Sequence, residues 1–172
     1  NPDRLYAATW QRHRTVAALM GGGPESGLHR SEDGGESWTE LKSGLPNYAG
    51  KIGFTLSPQK PDILYASVEL EKRKGAVYRS EDRGSSWKKM SDLSLGYGTG
   101  PHYYQELFAS PHKFDRLYLM NVRILTSEDG GRTFVELTER AKHSDNHAIA
   151  FRDDDPNYLL VGTDAGIYES FD

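Results

Sequence analysis

The sequence predicts an all-β fold, a β-propeller segment built of four-stranded antiparallel blades. Three features support this prediction: a repeat of about 45 residues, hydrophobic alternation with a period of two, and Gly, Pro and Asp between the alternating segments. The chain has 172 residues, of which 18 are Gly and 8 are Pro, so many turns are expected. No segment shows a convincing 3.6-residue period, and no helix is therefore predicted.

The repeat is defined by two motifs that recur in a fixed order. The first motif occurs as SEDGGESW (31–38), SEDRGSSW (80–87) and SEDGGRTF (127–134), and a further copy begins at residue 170. The second motif precedes each copy and occurs as NPDRLYA (1–7), KPDILYA (60–66), KFDRLYL (113–119) and DPNYLLV (155–161). Two motifs that recur together along the whole chain indicate a series of related units.

Each unit has room for four short strands, which we label A to D in chain order. In the second unit the pattern predicts strands near 51–58, 63–70, 75–82 and 85–90. The four units then hold strands B–C–D, A–B–C–D, A–B–C–D and A–B–C, and a full set is the size of a propeller blade. We expect a partial blade at 1–45, whole blades at 46–95 and 96–140, and a partial blade at 141–172.

Two whole and two partial blades do not make a closed ring, because a propeller needs at least about four blades. We therefore expect the segment to be a fragment of a larger propeller. The unpaired strand edges at its two ends predict contact with the remainder of a longer propeller or with a second copy of the chain.

The first motif predicts a tight turn between strands C and D. Its Asp can accept hydrogen bonds from backbone N–H groups, its Gly can adopt a positive φ, and its Ser can add a second side-chain hydrogen bond. We expect its aromatic residue to fold back and become buried between blades. The predicted structural residues are Ser31, Asp33, Gly35, Trp38, Ser80, Asp82, Gly84, Trp87, Ser127, Asp129, Gly131 and Phe134.

These residues match the Asp box, or BNR repeat, and the chain resembles the Asp-box propellers. This group includes sialidases, xyloglucanase-type glycosidases and sortilin-type receptor domains, and the resemblance extends over essentially the whole chain. It implies that the repeated Asp residues stabilise turns rather than catalyse, and that the protein is secreted or periplasmic. A Ca²⁺-binding loop is the alternative for these Asp/Gly stretches, but the EF-hand and RTX spacings are absent.

Composition argues against several classes of function. Lys and Arg number 21 against 25 Asp and Glu, and no basic block is present, so no nucleic-acid partner is expected. The chain has 0 Cys, which excludes disulfides and thiol catalysis. No apolar run approaches the roughly 20 residues that a membrane span requires, so none is predicted.

Strand order separates two faces of a propeller. The A–B and C–D connections lie on one face, and the A–B connections are short and similar, at 57–62, 110–115 and 152–157. The B–C and D–A connections lie on the opposite face and are long and irregular, at 10–27, 69–75, 92–106 and 138–147. Because long irregular loops gathered on one face commonly carry function, we expect a site there. The glycines at 21–23 lack the Lys and Ser/Thr of a phosphate loop and are predicted to form a flexible loop tip.

His143, Asp145 and His147 form the first candidate site. On an extended strand, residues at i, i+2 and i+4 project to one side, where imidazole and carboxylate groups could hold a divalent transition metal. The alternative is a hydrogen-bonded polar strand edge that enters the central channel. Apart from this possible metal, the sequence requires no cofactor.

The second candidate site combines His102, Tyr103, Tyr104 and Glu106. The resemblance implies a role for Tyr and Glu, because they form the nucleophile pair of sialidases. Tyr with His also suits sugar stacking and hydroxyl recognition, and binding is favoured over catalysis. The alternative is that Tyr104 packs inside the blade while Tyr103 faces solvent.

The third candidate site is the basic stretch at Arg12, His13 and Arg14, with Arg123 expected nearby. Sialidases clamp a substrate carboxylate with three arginines, but the Arg-Ile-Pro element that accompanies them is absent, so sialidase activity is not expected. Taken together, the predicted ligand-binding residues are Trp10, Arg12, His13, Arg14, His102, Tyr103, Tyr104, Arg123 and Asp164.

Two functions are compatible with these residues. The leading hypothesis is a binding module that presents the B–C and D–A loops to a glycan, a peptide or a protein. The alternative is a glycoside hydrolase of the Asp-box propeller type, which needs two carboxylates about 5–10 Å apart. Asp145 and Glu106 are its predicted catalytic residues, and Glu69 and Asp164 are further candidates.

Overall fold

The computed structural model describes residues 1–93 and 104–171, which form a two-stranded hairpin and, in chain order, four antiparallel sheets of three or four strands. We refer to these sheets as the first to the fourth blade. The first blade contains three paired strands, β1 (Leu5–Thr9), β4 (Gly27–Ser31) and β5 (Thr39–Glu40). A small hairpin is inserted between β1 and β4, and its strands are β2 (His13–Arg14) and β3 (Leu19–Met20).

The second and third blades each have four strands in sequential order. The second consists of β6 (Ile52–Leu56), β7 (Leu64–Leu70), β8 (Lys74–Ser80) and β9 (Lys88–Leu93), with a 3₁₀ turn (Glu71–Arg73) between β7 and β8. The third consists of β10 (Leu107–Ala109), β11 (Leu117–Leu119), β12 (Leu125–Ser127) and β13 (Val135–Glu136). The fourth blade has three strands, β14 (Asn146–Arg152), β15 (Asp155–Thr163) and β16 (Gly166–Ser170).

The all-β architecture predicted from the repeat is confirmed, and two local predictions need correction. The connection at 10–27 contains the hairpin β2–β3 instead of an irregular loop, because Thr15 closes a tight turn by accepting hydrogen bonds from the N–H groups of Ala17 and Ala18. Strand D of the second blade begins at Lys88, later than predicted, because the preceding residues belong to the repeated turn.

The hydrophobic core lies at the seams between successive blades. Trp87 of the second blade packs with Leu28 and Leu41 of the first blade. Tyr65 of the second blade packs with Leu117 of the third, and a third cluster joins the third and fourth blades. Each blade is therefore stabilised mainly by apolar surface that it buries against its neighbour.

The repeated turn has the same hydrogen bonds in all three copies. In the first copy the Ser31 hydroxyl donates to Asp33 and accepts the backbone N–H of Gly35, and Asp33 accepts the N–H of Ser37. The other two copies repeat this pattern from Ser80 and Ser127. The glycine that follows each Asp by two positions has φ between +85° and +100°, a region that favours glycine.

The aromatic residue of this turn is buried only where a preceding blade covers it. Trp87 is 6% exposed, whereas Trp38 in the first blade is 44% exposed. The prediction that Trp38 is buried between blades is therefore wrong, since the described residues place no blade on that side of the first sheet.

The A–B and C–D connections meet on one face, as strand order predicts. There the carbonyls of Asp3, Asp62 and Asp115 accept the backbone N–H groups of Gly34, Arg83 and Gly130 in the repeated turns. We call this the turn face. The opposite end, where the B–C and D–A connections meet, is the loop face. No helix within residues 1–93 and 104–171 is long and apolar enough to cross a membrane.

Candidate functional site

The loop face is held together by backbone hydrogen bonds between the connections that meet there. Gly50 donates its N–H to the carbonyl of Glu69, and Glu69 donates its N–H to the carbonyl of Lys51. Between the third and fourth blades, the backbone N–H of Asn146 donates to the carbonyl of Asn121. The start of each A strand is thereby fixed beside the end of a B strand, which places the polar residues of both connections next to each other.

Four side chains meet at the seam between the third and fourth blades, and we call them the seam cluster: Tyr104, Asp145, His147 and Asp164. The Tyr104 hydroxyl donates to Asp145 Oδ1, and the Tyr104 ring stacks on the His147 ring with centroids 5.4 Å apart. His147 Nε2 lies 2.7 Å from Asp164 Oδ1. The tyrosine is buried, while the His147 and Asp164 side chains are 37% and 63% exposed. The cluster therefore joins the interior of the seam to solvent.

Local backbone geometry puts Asp145 in this position. It has φ of +65°, its N–H donates to the carbonyl of Val122, and its carbonyl accepts the N–H of Asp164. Strand β14 begins only at the next residue, Asn146, whose side chain is fully buried and donates to the carbonyls of Asn121 and Val122. A non-glycine residue at positive φ is costly and is often found at functional sites.

The hydrogen bond from Tyr104 lowers the pKa of Asp145 below its ordinary value. Partial burial acts against this shift, while the Ser144 hydroxyl and the charges of His143 and His147 add to it. Asp145 is therefore a carboxylate at neutral pH and suits hydrogen-bond acceptance. The same shift disfavours Asp145, a predicted catalytic residue of the glycoside hydrolase alternative, as a general acid.

Lys51 connects the second and third blades on the same face. Its Nζ lies 2.7 Å from Glu106 Oε1 and donates to the carbonyl of Tyr104 at 2.9 Å, while its backbone N–H donates to Glu69 Oε2 at 3.0 Å. Burial raises the pKa of Glu69, and the contact with Lys51 acts against this rise. Glu69 thus keeps a proton to a higher pH than an exposed glutamate would.

Sequence reasoning missed Lys51, Gln105 and Glu139 on this face. Gln105 is buried at φ of +98°, and Glu139, whose side chain is 2% exposed, accepts the N–H of Ile124 and lies 3.4 Å from Lys142. The sequence contained one signal for Lys51, because it holds the same position as two predicted residues. A polar residue directly precedes each described A strand, namely Lys51, Glu106 and Asp145.

The metal hypothesis for His143, Asp145 and His147 rests on an extended strand that the structure does not show. Asp145 lies in the left-handed region, so the three residues do not share one strand face. His143 is exposed and its Nδ1 contacts the carbonyl of Ser144, while His147 is oriented toward Asp164. Across the part of the chain that the structure describes, no group of three His, Asp or Glu side chains could hold a metal ion.

The predicted basic site is divided between two blades. Arg12 stacks over Trp10 at 5.1 Å, and His13 and Arg14 form β2 in the exposed hairpin of the first blade. Arg123 lies in the third blade, where its Nη1 is 4.0 Å from Glu139. Predicted residues His102 and Tyr103 lie outside the described residues. The glycines at 21–23 are packed rather than free, because Gly23 pairs with Ala49 and Gly21 accepts the Trp10 indole N–H.

Comparisons with known proteins support the architecture. No family model and no curated protein matches the chain. The GH74 xyloglucanase from Xanthomonas campestris aligns with 100% of this chain and 28% of its own, with a TM-score of 0.70 and 20% identity. The GH74 enzyme from Niastella koreensis aligns with 85% of this chain and 25% of its own, with a TM-score of 0.65 and 19% identity.

This chain therefore spans about a quarter of the length of those two solved structures. A structure of YCF48 bound to D1 peptide has a TM-score of 0.45 at 17% identity and covers 86% of this chain and 59% of its own. The two GH74 likenesses show a β-propeller fold for this chain.

Proposed function

We propose that the chain is a ligand-binding propeller module whose loop face binds a glycan. The observation that carries this proposal is a line of polar contacts that crosses three blades, from Glu69 through Lys51 to Glu106 and Tyr104, and on to Asp145, His147 and Asp164. We call this set of seven residues the polar track. It presents carboxylates, an ammonium group and an imidazole along one face.

The chemistry of the polar track suits sugar hydroxyl groups, which both donate and accept hydrogen bonds. Carboxylates such as Asp145 and Asp164 accept hydrogen bonds from hydroxyls, and the Lys51 ammonium donates to hydroxyl oxygens. The side chains are already oriented by the contacts between them, which reduces the entropy lost on binding. Partial exposure of His147 and Asp164 leaves them accessible to a ligand.

The similarity to GH74 structures and the three repeated turns are two further observations in support of the proposal. The solved structures with the higher TM-scores are GH74 enzymes, and one is named a xyloglucanase, so xyloglucan oligosaccharides are a reasonable first probe. We further propose that the chain belongs with the Asp-box propellers, on the basis of the three turns with identical side-chain hydrogen bonds.

Isothermal titration calorimetry with xyloglucan oligosaccharides tests the proposed binding. We expect Asp164→Asn to weaken binding by about tenfold, because a charged hydrogen-bond acceptor is lost. Asp154→Asn is the matched control, since Asp154 is an exposed carboxylate, with 73% of its side chain accessible, in a connection of the turn face. Equal affinity of the Asp164→Asn variant and the wild type, or binding only to a peptide library, would contradict the proposal.

A glycoside hydrolase is the second candidate function, and one observation favours it. Glu69 and Glu106 both contact Lys51, and burial raises the pKa of Glu69 while Glu106 forms an ion pair. A carboxyl group whose pKa is raised by burial, on the same face as a carboxylate held in an ion pair, is a combination that glycosidases use for acid and base.

Turnover of an aryl-glycoside panel tests this second function. If Glu69 and Glu106 catalyse, Glu69→Gln and Glu106→Gln should each reduce kcat by about a hundredfold or more, while Asp82→Asn on the turn face should not. Absence of turnover in the wild-type protein would leave binding as the function.

A further inference from the structure

A pocket opens on the loop face, outside the seam cluster. It lies between the base of the β2–β3 hairpin and the 3₁₀ turn that follows β7, at the seam of the first and second blades. Met20, Tyr48 and Lys72 form its walls, and Glu69 lines it from the end of β7. The pocket therefore combines a half-buried carboxyl group with an aromatic ring.

Two glycines allow the walls of this pocket to approach closely. A Cβ atom on Gly50 would lie 2.1 Å from Glu69 Oε2, and one on Gly22 would lie 2.7 Å from the carbonyl oxygen of Ala49. Any other residue at position 50 would therefore displace the Glu69 carboxyl group. The position of this carboxyl group is set by backbone packing, as a binding site requires.

Tyr48 supplies the aromatic surface. It is 51% exposed and lines the same pocket as Glu69. An exposed tyrosine presents a rigid apolar ring at low entropic cost, and the C–H face of a pyranose ring packs well against such a surface. Glu69 supplies hydrogen-bond acceptors for the hydroxyl groups at the edge of that sugar ring.

We infer that this pocket is a sugar-binding subsite in which a pyranose packs on Tyr48 and donates hydrogen bonds to Glu69. The inference rests on the proposed function and adds a second position on the loop face at which the glycan is bound. The pocket contains Glu69, Glu71 and Lys72, so two carboxylates disfavour an anionic ligand and leave a neutral polyhydroxylated ligand as the best match.

Lys51 links this pocket to the remainder of the polar track. Its backbone N–H contacts Glu69, and its Nζ contacts Glu106 in the next blade. A ligand that occupies both the pocket and the seam cluster must therefore extend across several blades. This requirement points to an oligosaccharide rather than a single sugar.

Calorimetry with xyloglucan oligosaccharides of one and two repeating units tests the subsite. In the wild type we expect the longer oligosaccharide to bind about tenfold more tightly, because only it reaches the pocket. Tyr48→Ala should remove this gain and leave the affinity for the shorter oligosaccharide unchanged. Tyr48→Phe keeps the ring and should retain the gain, and Phe171→Ala, which removes a 68% exposed aromatic ring near the turn face, should have no effect.

The outcomes separate the subsite from the proposed function. If both lengths bind and the gain persists in Tyr48→Ala, the subsite is wrong while the proposed function stands. If the wild type binds neither oligosaccharide, the proposed function and the subsite are both wrong for this glycan class. Thermal unfolding of each variant confirms that a loss of affinity does not come from a loss of fold.

Discussion

At the scale of the residue, the repeated turns are stabilised by a few side-chain atoms. Hydrogen bonds from Ser31 and Ser37 lower the pKa of Asp33, and the bond from Ser86 is the main cause of the lowered pKa of Asp82. Burial alone would raise the pKa of Asp129, but hydrogen bonds from Thr133 and Ser127 outweigh it and lower the value to about 2. These aspartates therefore contribute to stability in their ionised form.

We predict that Asp129 contributes to acid unfolding. Its pKa in the folded protein lies below the ordinary value of 3.8, so its contribution is complete above about pH 4 and is lost as the pH falls toward about 2. Urea unfolding between pH 2 and pH 5 should show a smaller pH dependence in Asp129→Asn than in the wild type. Asp153→Asn, at an exposed position outside the repeated turns, is the control. The prediction would be contradicted if the free energy of unfolding depended on pH in Asp129→Asn as it does in the wild type.

Substitution of two glycines in the repeated turns distinguishes the energetic cost of backbone strain from the cost of overpacking. Gly34 has φ of +74°, and a Cβ added to it would meet no atom within 4 Å, whereas Gly131 has φ of +88° and a Cβ there would lie 2.7 Å from Val77 Cγ1. We expect Gly34→Ala to reduce the free energy of unfolding by about 1 kcal/mol through strain alone. Gly131→Ala should cost about 2–4 kcal/mol, because overpacking is added. Equal losses in urea denaturation would show that the contact with Val77 is unimportant.

At the scale of the element, each seam between blades has its own polar connection. Between the first and second blades, the Tyr6 hydroxyl and the Arg30 guanidinium donate to the carbonyl of Arg83. Between the second and third blades, the fully buried Tyr65 donates its hydroxyl to Asp115, which also pairs with Arg79. Equivalent tyrosines thus reach a backbone carbonyl at one seam and a carboxylate at the other.

The hydrogen bond from Tyr65 to the Asp115 carboxylate should contribute more to the free energy of unfolding than the bond from Tyr6 to the carbonyl of Arg83. Asp115→Ala would remove the acceptor of the buried Tyr65 hydroxyl and leave Arg79, whose side chain is 11% exposed, with Glu81 as its ion-pair partner among the described residues. We expect a loss of about 3 kcal/mol in the free energy of unfolding. Tyr6→Phe should cost about 1 kcal/mol. Thermal and urea unfolding of both variants compare the seams, and a larger loss in Tyr6→Phe would contradict this order.

At the scale of the whole molecule, the outer faces of the first and fourth blades resemble inner seams without a neighbour. The residue three positions before each motif Ser is buried in the first three blades, at Leu28, Val77 and Ile124. In the fourth blade the equivalent Ile167 is 77% exposed. The expectation that further strands or a second copy meet these edges remains a prediction.

A tryptophan of the repeated turn should therefore contribute more to stability in an inner blade than in the first blade. Trp87→Ala removes a ring that is 6% exposed and packed on the first blade, and we expect a cost of about 3–5 kcal/mol. Trp38→Ala removes a ring that is 44% exposed, and we expect about 1 kcal/mol. Differential scanning calorimetry measures both, and similar losses would mean that Trp38 is covered in solution.

The architecture could be predicted from the sequence because the repeat is local and regular. The motif that starts at Ser31, Ser80 and Ser127 sets the turn, and period-two alternation sets the strands, so both depend on residues that are close in the chain. The burial of Trp38 could not be predicted in the same way. It depends on whether another blade lies against it, which no motif records.

The site was predictable only in part, because it depends on contacts between distant residues. Tyr104, Asp145 and Asp164 were each assigned to the loop face from the sequence, but nothing in the sequence indicated that they meet, because their arrangement depends on the positive φ of Asp145. Lys51 was missed, since nothing near it in the sequence shows that it reaches Glu106 at a separation of 55 positions. Gly50 was also missed, since its role is to leave space for Glu69.

The repeated turns have a practical consequence for exchange of sequence between blades. In each copy, the hydrogen bonds of the motif's Ser and Asp side chains begin and end inside the same eight residues. The glycine of the motif faces the preceding blade, where Gly84 meets Leu41 and Gly131 meets Val77. In the second copy the carbonyl of Arg83 also accepts hydrogen bonds from Tyr6 and Arg30 of the first blade. A transplanted motif should therefore keep its own conformation, and its compatibility with a new location is decided by these contacts with the preceding blade.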